Sequence, residues 1–151
     1  MLTIEERLMG DLKDAMRAGV AGEVRKSTIR MARAALKNSQ IALGHPLSEA
    51  EVITVLQREV KQRRDSVEEY TKAQRSDLAD RESSEITVLQ GYLPQQMSED
   101  EIAAVVREVI AETGAHGPGD LSKVMPPLMI RLKGKAEGRL INAVVRRQLE
   151  G

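Results

Sequence analysis

Ser98-Glu99-Asp100-Glu101-Ile102-Ala103-Ala104-Val105-Val106-Arg107-Glu108-Val109-Ile110 contains both the start of a helix and its period. A Ser at N-cap and a Glu three residues on can reciprocally satisfy two of the backbone N–H groups that a helix leaves orphaned at its start. The acids also favour the positive end of the helix dipole. Ile102, Val105, Val106, Val109 and Ile110 then fall at i, i+3, i+4, i+7 and i+8, a single apolar stripe. The same opening recurs in Thr3-Ile4-Glu5-Glu6 and in Ser48-Glu49-Ala50-Glu51. One such signature is weak, but three, each leading into a helical period, predict an all-α protein.

Working outward from these starts, the chain divides into seven predicted helices. The first runs over residues 4–18 and stops at Gly19. The second, 23–43, ends at Gly44, where His45-Pro46 forbids continuation. The third, 49–74, shows a heptad-like seam at Ile53, Leu56, Val60, Val67 and Tyr70. A shorter fourth covers 77–92, and Pro94 then breaks the chain. Beyond it, Leu121, Val124, Met125, Leu128, Met129 and Leu132 repeat the helical spacing, Gly134 ends that run, and Leu140, Ile141, Val144, Val145 and Leu149 form a last apolar face. Helices apolar on one side only must bury those sides against one another. The expected organisation is an N-terminal helical hairpin array of about four helices in residues 1–95 and a small C-terminal three-helix bundle in residues 96–151. Pro126 and Pro127 interrupt the sixth pattern; an interior proline costs roughly 3 kcal/mol, so a kink or a fresh helix start is expected there.

Composition narrows the function classes. Acids and bases balance at 23 each, so no whole-protein field draws in nucleic acid or an anionic membrane. There is no cysteine, which excludes disulfides, thiolate metal sites and a cysteine nucleophile. No apolar run approaches the ~20 residues needed to span a bilayer. The opening residues Met1 to Glu6 turn acidic at once and do not resemble a signal peptide, so a cytoplasmic chain is expected. Tyr70 and Tyr92 are the only aromatic residues, which argues against stacking-based recognition of single-stranded bases.

Candidates for chemistry are few. His45 and His116 each sit in a turn without a second histidine or carboxylate at ligand spacing, so no metal is expected. No nucleophile elbow, phosphate-binding loop or dinucleotide fingerprint is present, and no catalytic residue or cofactor is assigned. Two basic clusters remain. Lys61, Arg63 and Arg64 lie in the middle of the third helix, with Arg63 on the apolar seam. Either its stem packs while its head pairs with a carboxylate on a neighbouring helix, or this face meets a partner, helped by Lys26 and Arg30. The C-terminal region is dipolar: residues 98–122 hold six acids and one base, residues 123–147 seven bases and one acid. Within it Lys133-Gly134-Lys135-Ala136-Glu137-Gly138-Arg139 is a basic turn leading into a helix N-terminus. Arg139, Asn142 and Arg146 follow on one face of that helix. Backbone N–H groups, helix dipole and flanking cations fit a phosphate. Basic residues on a polar helix face are also ordinary, and charge alone leaves an RNA or anion site and a solvated face equally open.

Four stretches resemble the YqeY-like proteins: Arg25-Lys26-Ser27-Thr28-Ile29-Arg30-Met31, Val60-Lys61-Gln62-Arg63-Arg64-Asp65-Ser66, Leu89-Gln90-Gly91-Tyr92-Leu93-Pro94-Gln95-Gln96-Met97-Ser98 and the Lys133 to Ile141 segment. The resemblance runs in order over nearly the whole chain. It implies a stand-alone relative of the C-terminal helical region of GatB, a subunit of the glutamine-dependent amidotransferase that acts on mischarged aminoacyl-tRNA. The implied fold is two helical domains, the second a three-helix bundle. The implied partners are tRNA and amidotransferase or synthetase components, with Lys133, Gly134, Lys135, Gly138, Arg139, Asn142 and Arg146 as the contact. Where the family carries Asp or Asn this chain has Glu137, which weakens the cap of the last helix; Pro126-Pro127 is a second departure. A carbon–nitrogen ligase label carried by such a family would describe the larger assembly, and the expectation is a non-catalytic tRNA-binding adaptor. The alternative is a protein-interaction module using the basic face of the third helix; an enzyme in its own right would need a nucleophile or metal site that the side chains do not offer.

Overall fold

The computed structural model describes residues 1–151 and contains seven α-helices and no strand. Two of the three capping signatures close as reciprocal boxes. Ser48 Oγ accepts from Glu51 N–H at 3.2 Å while the Glu51 carboxylate accepts from Ser48 N–H at 2.9 Å. Hydrogen bonding from Ser48, its backbone N–H first and its side chain second, holds the Glu51 carboxyl below its usual range. Ser98 and Glu101 repeat the arrangement at 3.2 Å in both directions. The third is half a box: Thr3 Oγ1 accepts from Glu6 N–H at 3.1 Å, but the Glu6 carboxylate takes the Thr3 hydroxyl. A distant carboxylate compensates, because Ile4 N–H points at Glu49, 3.3 and 3.4 Å from its two oxygens.

The chain divides into two compact units, 1–93 and 94–151. In the first, α1 (Ile4–Arg17) leads through a 3₁₀ turn (Gly19–Gly22) into α2 (Glu23–Leu43). A tight hairpin then joins α3 (Glu49–Lys72) to α4 (Ser76–Gln90). Gly22 is required by close approach: a Cβ there would lie 2.2 Å from the Ala15 carbonyl oxygen. The core draws on all four helices, with Leu8, Ile29, Leu56 and Leu89 buried together. The seam of α3 keeps Leu56 and Val60 of the predicted one but is wider. Val52, Val55, Leu56 and Val60 are buried, whereas Ile53, Val67 and Tyr70 are half-buried, because α4 and α2 both pack on this helix and widen its inward face.

Helix α3 ends two residues before the predicted stop, by a device the residue types do not advertise. Arg75 N–H bonds to Tyr70 O at 2.8 Å and Gln74 N–H to Thr71 O at 3.1 Å, the paired bonds of a Schellman turn. Its left-handed position, usually glycine, is Gln74 with φ 58°. Helix α4 likewise stops at Gln90, so Tyr92 lies past its end, buried. The Tyr92 hydroxyl donates to Asp11, its ring lies 5.0 Å beneath the Arg7 guanidinium, and Arg7 donates to Gly91 O at 3.0 Å. The end of α4 is thereby pinned to α1. Burial, then the Asp11 contact, raise the Tyr92 pKa well above that of a free phenol, so the donor keeps its proton.

The second unit holds α5 (Glu99–Thr113), a 3₁₀ turn (Pro118–Asp120), α6 (Leu121–Leu132) and α7 (Gly138–Glu150). Ile102, Val106 and Val109 of α5 meet Val124, Leu128 and Leu132 of α6 and Ile141, Val144 and Val145 of α7. Each side chain buried this fully contributes roughly 1.5–3 kcal/mol. Pro126 and Pro127 do not begin a new helix: α6 continues through both. They lie exposed on its outer side, so the Ser122 and Lys123 carbonyls that lose their i+4 donors belong to exposed residues and can be satisfied by water.

Candidate nucleic-acid interface

The segment 133–146 is built from a turn and a helix start that the rest of the second unit holds in place. Lys133 leaves the helical region at the end of α6 with φ −55° and ψ 127°. Gly134 follows at φ 79°, a conformation that suits glycine, and is buried. Lys135 N–H closes the turn on Leu132 O at 2.9 Å. On its other side, Met97 N–H donates to Lys135 O at 2.8 Å and Gln96 Nε2 to Gly134 O at 3.3 Å. Gln96 and Met97 thus fix the turn, a role sequence reasoning did not assign. The only signal was their place in one of the stretches that carried the family resemblance.

Helix α7 starts at Gly138 with Glu137 at N-cap, whose side chain makes no capping bond to the first N–H groups. Arg139 and Arg146 are exposed and Asn142 half-buried on the polar face. Ile141, Val144, Val145 and Leu149 turn inward. Asn142 Oδ1 accepts from Arg146 Nε at 2.6 Å, which holds that guanidinium along the helix.

Tertiary packing sorts the seven bases of this region. Arg131 pairs with Glu112 at 3.0 Å and Glu108 at 3.6 Å, Arg147 with Glu99, and Lys123 with Asp120 at 3.4 Å. The acids of α5 and the 3₁₀ turn therefore neutralise three bases, so the dipole seen in sequence is partly closed. The Asp120 carboxyl also accepts from His116 N–H at 2.8 Å, which lowers its pKa first, ahead of Lys123. Lys133, Lys135 and Arg146 have no carboxylate partner. All three belong to the turn and helix singled out as a phosphate site.

The second cluster is split by burial. Lys61 is exposed and Arg64 half-buried, but Arg63 is only 5% exposed and points into the first unit. Arg63 Nη1 donates to the Glu59 carbonyl at 3.1 Å and to its carboxylate at 3.2 Å, and Nη2 lies 3.8 Å from Met31 Sδ. Its Nε faces Glu85 of α4, itself 6% exposed, at 3.9 Å, an ion-pair distance too long for a hydrogen bond. Arg63 is therefore the packed stem with a carboxylate on a neighbouring helix, and it contributes nothing to a surface. His45 contacts Pro46 O and Glu51, and no group of three or more His, Asp or Glu side chains is arranged to hold a metal ion.

Residues 5–149 match the family model described as Yqey-like protein. Among curated proteins, "Altered inheritance of mitochondria protein 41, mitochondrial" of Lachancea thermotolerans is 40% identical over 114 residues, covering 74% of this chain and 60% of that protein. Its counterpart of the same name in Pyrenophora tritici-repentis is 30% identical over 132 residues, 86% of this chain and 71% of that protein. That of Saccharomyces cerevisiae is 36% identical over 89 residues, 58% and 47%. The chain thus spans about half to seven-tenths of the length of these relatives. All three are named as mitochondrial proteins, which overturns the expectation of a cytoplasmic chain. The expectation failed because it rested on Met1 to Glu6 not resembling a secretory signal peptide, and neither that, nor absent cysteines, nor the lack of a helix apolar enough to cross a membrane selects a compartment.

Proposed function

The chain belongs to the Yqey-like protein family, and from that premise we propose that it is a non-catalytic helical adaptor that binds tRNA through segment 133–146. In this reading the four helices of the first unit form a hairpin array that serves as scaffold. The last three form a small bundle like the tail of GatB, and amidotransferase or synthetase components are the natural neighbours on the same RNA. A ligase label with glutamine as amido donor belongs to the larger assembly. The observation that carries the reading is the sorting of charge: Lys123, Arg131 and Arg147 are neutralised by acids, while Lys133 and Lys135 are left beside a helix N-terminus that Glu137 does not cap, and Arg146 is left two turns along the same helix. Uncapped N–H groups and unpaired cations on one segment suit phosphate oxygens.

Fluorescence anisotropy of tRNA across a salt series tests it. With Lys133, Lys135, Arg139 and Arg146 as phosphate contacts, log K should fall against log salt with a slope of about 3 to 4. The variant Lys133→Glu, Lys135→Glu, Arg139→Glu, of unchanged helicity, should lose that binding. Weak binding of equal strength in both proteins would refute the assignment. The competing module on α3 has Lys61 exposed but loses Arg63 to the interior.

A further inference from the structure

Helix α2 contains five bases, Arg25, Lys26, Arg30, Arg33 and Lys37, and one acid, Glu23, which is taken by Lys26 at 3.0 Å. Arg30, Arg33 and Lys37 repeat at i, i+3 and i+7 and have no carboxylate partner; the one polar contact of their head groups is Arg30 with Met16 Sδ at 4.0 Å. They form one wall of an open cleft between α1 and α2 with a volume of about 710 Å³. Met9 and Ala34 supply its exposed apolar lining over a floor of buried Leu8 and Leu36, and Glu5 and Glu6 stand at the α1 side. Met9 is 40% exposed and Met16 and Met31, on the same pair of helices, 53% and 51%. Flexible, polarisable methionines at an exposed apolar surface adapt to a partner's side chains.

We propose that this cleft is a docking groove for an amphipathic helix of a partner protein, laid along α1 and α2 with its acidic flank against Arg30, Arg33 and Lys37. Charge chooses this occupant. A polyanion such as RNA would be repelled by Glu5 and Glu6, and the cleft offers no aromatic ring for a base to stack on. A helix can place carboxylates toward α2 and a cation toward Glu5 and Glu6 at once. The bases recur at helical pitch over about 10 Å, so carboxylates spaced three and four residues apart on a neighbouring helix meet them in register. Apolar anchors at i, i+4 and i+7 fill a groove of this size in the usual helix-in-groove manner. This site lies in the first unit and is independent of segment 133–146.

The probe is a synthetic helical peptide with leucines at i, i+4, i+7 and i+11, glutamates along one flank and a lysine at one end. It is titrated into the full chain carrying ¹³C-methyl methionine. The Met9 methyl should shift and saturate while those of Met97 and Met125 stay put. The variant Arg30→Glu, Arg33→Glu, Lys37→Glu, of unchanged helicity, should bind at least tenfold more weakly, and a peptide with lysines in place of the glutamates should not bind the native chain. An unmoved Met9 methyl, equal binding by a scrambled peptide of the same composition, or affinity indifferent to the charge reversal would each overturn the proposal. So would loss of tRNA binding in the α2 variant, which would make the wall an RNA surface, or a Met9 shift that follows protein concentration without peptide, which would make it a self-association face.

Discussion

Replacing Arg63 by Met should destabilise the first unit by about 3–5 kcal/mol, because it removes the cation and leaves carboxylates in the interior. Glu85 is 6% exposed and the Glu59 side chain 14%, so little water can reach either. Met matches the stem of Arg63, which isolates the loss of charge from the loss of packing. Hydrogen exchange of the Ile29 and Leu56 amides, both in the core of the first unit, reads the opening of that unit within the full chain. At about 1.4 kcal/mol per decade, protection should fall by roughly two to three and a half decades. The double variant Arg63→Met, Glu85→Leu should recover part of this. The native pair is 3.9 Å apart and not hydrogen-bonded, a geometry in which Coulomb attraction poorly offsets desolvation. A cost under about 1 kcal/mol for Arg63→Met would refute the reasoning, since that is the range of a solvated pair. Arg63 would then belong to the surface after all.

Tyr92→Phe removes the hydroxyl donated to Asp11 while keeping the ring beneath Arg7. Hydrogen bonds to charged groups contribute about 1.5–3 kcal/mol, and with Asp11 half-exposed the lower figure is expected, read as a reduced denaturant midpoint. Glu82 has its carboxyl pKa raised by burial first and then by the Glu85 charge. A raised carboxyl pKa favours the folded state while protonated, so that contribution is present at low pH and is lost as pH rises through the folded pKa. Glu82→Gln should accordingly stabilise the protein at pH 7 and have little effect near pH 3; equal effects at both would show that charge at this position is immaterial.

The helices were legible in the sequence because their signals are local. A capping hydroxyl and a Glu three residues on, an apolar period of 3.6, and Gly44 at a left-handed stop act within one or two turns and need no neighbour. The family resemblance was legible for the same reason. Where a signal depended on what packs alongside, the sequence was silent or shifted. Gln74 holds the left-handed residue of a Schellman turn without being glycine, and α6 runs through two prolines because they face outward. The buried face of α3 widened to take in Val52 and Val55 because two helices cover it.

For function the division is sharper. Sequence alone located the basic turn at 133–139 and its glycines, since charge runs and turn residues are contiguous. It could not say which of the seven bases were neutralised, because their carboxylates come from 19 or more residues away on α5 for Arg131 and Arg147. Arg63 reads the same in sequence whether buried or presented, and only the approach of Glu85 from α4 decides it. The cleft beside Arg30, Arg33 and Lys37 exists only once α1 lies against α2. Local propensity and period located the seven helices to within about two residues at their ends. The pairing of charges, and so which cations remain for a ligand, is a property of long-range contact that the tertiary structure alone supplies.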